Sequence, residues 1–361
     1  MSYKRTEARS EYIEWAKLCA SARFNLAASG VQGMPLNQLP VKLSELELSA
    51  PGTYGYPPLL ERLAKRYGVS TTNVVSAIGT SMANYLAMSA VVEPGDEVVI
   101  EDPAYDPMLG AAEYLGAMVK RVARRPENGF QIRVEDLQRV VSPKTRLIAL
   151  TNLHNPTGVL LEEDTLHAIG EIAKSVGARI LVDEVYLELL FDRPQRSAFH
   201  LGEHFLMTSS LTKAYGLSGL RCGWILAAPE LAERMWHQND LFGNIPAHIT
   251  ERLSVVALDH METIAARARS LMERNWTLLD AFLLAHPELD VTRPLGGTII
   301  FPRVPGGDGD AFCKHLREKY ETSAVPGRFF GTPERVRIGI GNSNDEVEEG
   351  LRRVSAALGD R

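Results

Sequence analysis

The sequence predicts an α/β chain in two parts: a three-layer, mostly parallel sheet with helices on both faces, then a smaller α+β unit. Three observations carry this. From about residue 70 to 230, short apolar runs alternate with helical stretches. The runs are continuously apolar, which suits strands buried on both faces beneath covering helices. Past residue 250 the pattern changes to long amphipathic helix with isolated strand-like runs.

The apolar runs are, in order, NVVSAIG, DEVVIEDP, RLIALTN, ARILVDEVY, FLMTSS and CGWILAA. Between them, EEDTLHAIGEIAKSVG is amphipathic, and its final glycine is a helix stop. Beyond residue 250, ERLSVVALDHMETIAARARSLMERNWTLLDAFLLAHPEL reads as long helix, GGTIIFPRV and ERVRIGIG as strands, and DGDAFCKHLREKY as the helix between them. The expected division is an N-terminal segment over 1–40, a large α/β domain over 41–255 and a small α+β domain over 256–361. The N-terminal segment has no strong strand run of its own. It is expected to pack with the small domain and cover the site.

At 361 residues the chain can bury a large core and form two domains. Its 45% hydrophobic and 23% charged residues are ordinary for a globular enzyme, and a net charge of −6 does not suggest a nucleic-acid partner. No apolar run reaches the roughly 20 residues that cross a bilayer. The first twenty residues lack the apolar core of a signal peptide. Cys19, Cys222 and Cys313 are far apart and odd in number, giving neither a disulfide framework nor a zinc spacing. The expectation is a cytoplasmic protein with no metal, no membrane and no nucleic acid.

Ligands of open α/β sheets bind beyond the carboxyl ends of the strands. After NVVSAI come Gly79, Thr80 and Ser81, opening a helix. They form an anion site or a simple N-cap. After DEVVIEDP comes Tyr105. After RLIALTN come Asn155, Pro156 and Gly158, ordinary turn residues by themselves. After ARILV come Asp183, Glu184 and Tyr186. A carboxylate at the end of a buried strand needs a cation, a ligand or a capping role. After FLMTSS come Lys213 and then Arg221, two cations in a run of small and apolar residues. Taken singly, each has a structural reading. Together they match the needs of pyridoxal phosphate: a phosphate, a ring nitrogen kept protonated, a phenolate oxygen and an aldehyde that condenses with lysine.

Ser210-Leu211-Thr212-Lys213 followed by Gly219-Leu220-Arg221-Cys222-Gly223-Trp224, with HNPTG and DEVY upstream, resembles the fold-type I pyridoxal-phosphate enzymes. Within them the chain is similar to the class I/II aminotransferases related to aspartate aminotransferase, from about residue 25 to the end. The resemblance implies pyridoxal 5′-phosphate as cofactor, a Lys213 aldimine, and Lys213 as the base that moves the substrate α-proton. It implies Arg221, Ser210, Thr212, Thr80 and Ser81 around the phosphate. Asp183 would pair with the ring nitrogen, Asn155 and Tyr186 with the ring oxygen, and Tyr105 with the ring face. Arg337 would bind the substrate carboxylate, with Ser29 and Gly30 offering backbone N–H groups. Arg335 shares its strand face, so alternation alone does not choose between them.

The same resemblance implies a homodimer with shared active sites, in which Tyr54, with Tyr56 as the competing choice, reaches the partner's cofactor. It implies cis bonds at Asn155–Pro156 and Asp102–Pro103. Arg124, Arg125 and Arg328 read as substrate side-chain contacts or as solvated surface charges, the latter preferred. The loop GVQGMPLNQLP reads as a specificity lid. The expected activity is transfer of an amino group between an α-amino acid and a 2-oxo acid. The alternatives are a same-fold lyase or decarboxylase, a tailoring enzyme acting on a guanidino amino acid, and a non-catalytic pyridoxal-phosphate-binding regulatory module.

Overall fold

The structure, a computed structural model, describes residues 9–50 and 52–360. The first eight residues of the N-terminal segment, together with Pro51 and Arg361, lie outside the described residues.

After a short strand β1 (Phe24–Asn25) come β2 (Val74–Ile78), β3 (Glu97–Asp102), β4 (Met118–Ala123), β5 (Thr145–Thr151), β6 (Arg179–Asp183), β7 (Phe205–Ser210) and β8 (Cys222–Leu226). The last seven form one sheet in the order β2-β8-β7-β6-β5-β3-β4, parallel except for β8, which runs against both its neighbours. Every residue of β7 and β8 is buried, as continuous apolarity requires of strands covered on both faces. Strand β4 was not expected. It lies at the sheet edge beside β3 alone, so its Lys120 and Arg121 need not be buried, and its run reads as polar.

The register aligns the functional strand ends. Thr151 pairs with Asp183, and Asp183 with Thr208, so β5, β6 and β7 finish side by side. Around the sheet lie α1 (Glu11–Leu18), α2 (Pro57–Tyr67), α3 (Gly79–Ser89), α4 (Asp106–Tyr114), α5 (Val134–Val140), α6 (Glu163–Val176) and α7 (Pro229–Phe242). Gly177, the predicted stop of α6, takes φ 71° and caps it in the left-handed region.

The expected long helix beyond residue 250 is two helices, α8 (His248–Asp259) and α9 (Met261–Ala285). His260 breaks it with φ −117° and ψ 22°, and its Nδ1 lies 2.8 Å from the Val256 carbonyl. Strands β9 (Ile299–Ile300), β11 (Val325–Pro326) and β12 (Val336–Gly339) make an antiparallel sheet in the order β11-β12-β9. Helices α10 (Gly309–Tyr320) and α11 (Asn344–Gly359) accompany it. Strand β1 pairs in parallel with β10 (Thr322–Ser323), which ties the N-terminal segment to the C-terminal elements. Helix α1 reaches both ways. Its N-cap Ser10 bonds Asp106 at the start of α4, while Trp15 stacks at 5.5 Å on Phe329.

Candidate active site

A cavity of about 250 Å³ lies where the parallel strands end. Thr80, Ser81, Tyr105, Asn155, Asp183, Tyr186, Ser210, Thr212, Lys213, Arg221 and Ser29 are among the residues that line it. Most of the expected set is therefore gathered by the ends of β2, β3, β5, β6 and β7 and by the N-terminal segment.

One group is an anion cradle. Helix α3 begins at Gly79 immediately after β2; the Gly79 N–H donates to the Arg221 carbonyl at 2.7 Å, and the N–H groups that follow in the first turn have no partner within the helix. The Thr80 hydroxyl donates to Ser210 Oγ at 2.8 Å, and Ser210 Oγ accepts the Thr212 N–H at 3.3 Å. Arg221 stands at φ 50°, and its Nη1 bonds the Ser218 carbonyl at 3.3 Å. Glycine at 79 is required twice over. Its φ is 73°, and a Cβ there would lie 2.3 Å from Arg221 Nη2. A Cβ on Gly223 would lie 2.5 Å from the Gly79 carbonyl carbon. The two glycines let the guanidinium and the helix start close on one point.

A second group is a buried acid. Asp183 Oδ2 accepts from Asn84 Nδ2 at 2.7 Å, and Oδ1 accepts the Val185 N–H at 3.0 Å. Thr208 donates at 2.5 Å to Asn84 Oδ1, which fixes the amide. Burial pushes the Asp183 carboxyl up to about 6, against the hydrogen bond from Asn84. Among the described residues no side-chain cation is paired with it. Asn84 was not among the expected residues. The available signal was an amide inside the apolar helix MANYLAMSA, directly after the anion site.

Beside this acid, Lys213 Nζ donates to Ser29 Oγ at 3.1 Å, and the Tyr186 hydroxyl donates to the same oxygen at 2.9 Å. So Ser29 meets the lysine with its side chain. Gly30 lies against the Lys213 backbone, where a Cβ would sit 3.4 Å from Lys213 Cα. The Ser81 hydroxyl bonds the Tyr105 phenol, which burial pushes upward in pKa.

Arg337 is 0% exposed. Its Nη1 donates to Asn155 Oδ1 at 2.9 Å; its Nη2 donates to the Tyr12 hydroxyl at 2.8 Å and to the Ala27 carbonyl at 3.1 Å. Arg335 is engaged elsewhere, with Asp290 Oδ2 at 2.6 Å and the Phe301 carbonyl at 3.0 Å, so of the two it is Arg337 that bonds residues lining the cavity. Tyr12 was not expected. It lies on α1, whose amphipathic pattern shows a buried face without showing what that face covers.

Behind the strand ends is an ion pair that corrects one expectation. Arg124 is not a solvated surface charge: its Nη1 bonds Glu101 Oε2 at 2.7 Å, and both side chains are buried. Glu101 Oε1 also accepts from Thr151 N at 2.8 Å and Thr151 Oγ1 at 2.5 Å, and Thr151 Oγ1 accepts the Asn155 N–H at 3.0 Å. Arg124 thus anchors the loop that carries Asn155. His154 is buried between the Pro103 carbonyl and Thr157, and burial with Arg124 nearby holds its pKa well below the usual value. It stays neutral. Among the described residues the cis bonds are Asp102–Pro103, as expected, and Asn152–Leu153. Asn155–Pro156, expected to be cis, is trans.

Tyr54 does not join this cavity. It is 52% exposed and bonds Asp240 at 3.1 Å, beside Trp236. Tyr56 caps α2 and packs edge-on against His248 at 4.8 Å. Arg328 is tied to Asp310 at 2.6 Å and stacks on Phe329, outside the cavity. Among the described residues there is no group of His, Cys, Asp and Glu able to hold a metal, and no helix is long and apolar enough to cross a membrane.

A sheet with this order, an anion cradle and a lysine facing a buried acid defines a pyridoxal-phosphate enzyme of the aspartate aminotransferase fold. Residues 41–354 match the family model for aminotransferases of class I and II, and the chain belongs to that family. Its cofactor is pyridoxal 5′-phosphate. The chain is similar to the capreomycidine synthase of Streptomyces vinaceus, 31% identical over 289 residues, which is 79% of this chain and 74% of that one. It is similar to the arginine–pyruvate transaminase of Pseudomonas aeruginosa, 29% identical over 319 residues, with 83% and 80% covered. A solved pyridoxal-phosphate-dependent aminotransferase from Streptococcus suis superposes with a TM-score of 0.91 at 26% identity over 98% of each chain. The pyridoxal-phosphate-dependent cyclase OrfR shares the fold, with a TM-score of 0.90 at 24% identity over 99% of each chain.

Proposed function

We propose that this chain is an aminotransferase that moves an amino group between an α-amino acid and a 2-oxo acid. The observation that supports it most is the convergence on one cavity of Lys213, the buried acid Asp183 and the Gly79–Arg221 cradle. The residues fit the cofactor. A buried carboxylate without a cationic partner suits a protonated ring nitrogen, and a guanidinium packed on a helix start suits a phosphate.

When bound, the cofactor supplies an aldehyde carbon and a cationic ring that withdraws electrons from the substrate Cα. Arg221, Thr80, Ser81, Ser210 and Thr212 would hold the phosphate. Asp183, oriented by Asn84, would keep the ring nitrogen protonated. Tyr105 would cover the ring face, and Asn155 and Tyr186 would bond the ring oxygen. Lys213 would hold the aldehyde carbon at rest, and its amine would then move a proton between the substrate Cα and that carbon, on the far side of the amino nitrogen. Ser29 would steady the Lys213 amine between those tasks. Arg337 would supply the positive charge that attracts the substrate carboxylate.

We further propose a homodimer. Tyr54, Ile78, Leu241 and Phe242 expose large apolar surface around the starts of α2 and α3 and the end of α7, next to the anion cradle. In that reading Tyr54 turns to the partner's cofactor.

A second reading has support in the resemblance to capreomycidine synthase and the shared fold with OrfR: a reaction that remodels the amino acid side chain on the same scaffold. The test follows the visible band of the holoenzyme through a panel of amino acids, starting with arginine, with pyruvate as the acceptor. Bleaching to the pyridoxamine form, reversed by the oxo acid, is the expected result. A band that shifts without bleaching, with a new product and no oxo acid released, selects the remodelling reading.

A further inference from the structure

The cavity that holds Lys213 is lined by Tyr12 and Asn155 but not by Arg337, which stands fully buried behind them. The donors of Arg337 are largely committed. Nη2 has two protons, and they go to the Tyr12 hydroxyl and the Ala27 carbonyl. Nη1 gives one proton to Asn155 Oδ1, and Nε is buried with no partner. The free fork that a guanidinium usually offers a carboxylate is therefore not available. The Tyr12 oxygen, by contrast, accepts from Arg337, and among the hydrogen bonds of the described residues its own proton has no acceptor.

Resting on the reading of Arg337 as the carboxylate's counter-charge, we propose that Tyr12 is itself a substrate-binding residue. Its hydroxyl relays the charge of Arg337 and donates its proton to the substrate carboxylate, beside the Asn155 amide.

The setting supports a fixed role. Tyr12 is packed edge-on against Tyr105 at 6.0 Å and Phe329 at 5.9 Å and lies tilted against Phe330 at 5.7 Å, and the Arg337 guanidinium stands 5.3 Å from its ring centre. One side chain thus touches the aromatic assigned to the cofactor ring and the arginine assigned to the carboxylate. Helix α1 is pinned at one end by Ser10 to Asp106 and at the other by the Arg317 guanidinium on the Cys19 carbonyl at 2.5 Å. Ile13 and Ala16, one face of α1 with Tyr12, line the same cavity. The helix is a roof bridging the large sheet and the C-terminal elements, and it brings the hydroxyl to the place where the carboxylate must arrive. It precedes residue 41, where the span matched to the family model begins.

The experiment titrates the cofactor-loaded protein with pyruvate and follows the emission of Trp15, which lines the adjoining space on α1, with Trp15→Phe to isolate its signal. Acetone, which lacks the carboxylate, is the control. Tyr12→Phe keeps the ring and its packing; its melting temperature and unligated Trp15 emission check that α1 is in place. Loss of one hydrogen bond to a charged group predicts that Tyr12→Phe binds pyruvate roughly ten- to a hundredfold more weakly, with acetone unchanged. Arg337→Gln is expected to be weaker still. Unchanged affinity in Tyr12→Phe, with Arg337→Gln impaired, overturns the role of Tyr12 and leaves Arg337 standing. Tighter binding in Tyr12→Phe also overturns it, because the hydroxyl would then be a plug that the carboxylate displaces. Unchanged affinity in Arg337→Gln removes the reading of Arg337 and the proposal with it.

Discussion

Two adjacent acids at the end of β6 have different employment. Asp183 faces the cavity, while Glu184 points away and accepts the Ala198 N–H at 2.6 Å. Burial pushes the Glu184 carboxyl up to about 8, opposed by its bonds to Ala198 and Ser197. An unfolded glutamate titrates near 4.3, so between that pH and about 8 the folded chain binds more protons than the unfolded one. Stability must then fall as pH rises through this window, by an amount on the order of a few kcal/mol. Glu184→Gln keeps the acceptor and removes the titration. Its melting temperature should gain on the wild type as pH rises from 5 to 8.5; parallel curves would contradict the assignment. At this scale the sequence showed which residues would line a strand end, because parallel strands place their last residues together. It did not show Asn84 or Tyr12, whose partners are far along the chain and come near only through packing. It also misplaced Arg124. Nothing local distinguishes an arginine bound to buried Glu101 from one in water.

The element scale is where the cradle is decided. Strand β2, the start of α3 and the Arg221 turn before β8 meet with no room for side chains at Gly79 and Gly223. Gly79→Ala adds a Cβ against Arg221 and demands a positive φ of a non-glycine residue. Cofactor affinity, measured by dialysis and reloading, should fall at least about tenfold, as expected from loss of a charge-assisted contact. Retention equal to wild type would show that the phosphate does not rest there. The apolar runs identified their strands because burial on both faces leaves a plain signal. The edge strand β4, half in water, leaves none, and neither does the break at His260, where apolar residues continue on both sides.

For the whole molecule, the pattern of apolar residues left in water supports the homodimer we propose. Leu241 is 82% exposed and Phe242 is 56% exposed, at the end of a helix that flanks the cradle. Phe242→Asp should convert a dimer to a monomer by sedimentation, and cofactor should then be held more weakly because Tyr54 of the second copy is lost. A wild-type monomer with full activity would end that proposal. The division we propose at residue 255 falls within α8. The first segment pairs by β1 with β10 yet bonds the large sheet's α4 through Ser10. Such a bridge is invisible in a sequence read element by element.

Whether Lys213 carries the cofactor is tested by chemical trapping. The purified holoenzyme is reduced with borohydride, digested, and its peptides are weighed. The expected result is one modified peptide, with the cofactor mass on Lys213, and its disappearance together with the yellow band in Lys213→Ala. A band and a trapped adduct that survive in Lys213→Ala, or an adduct on another lysine, would contradict it.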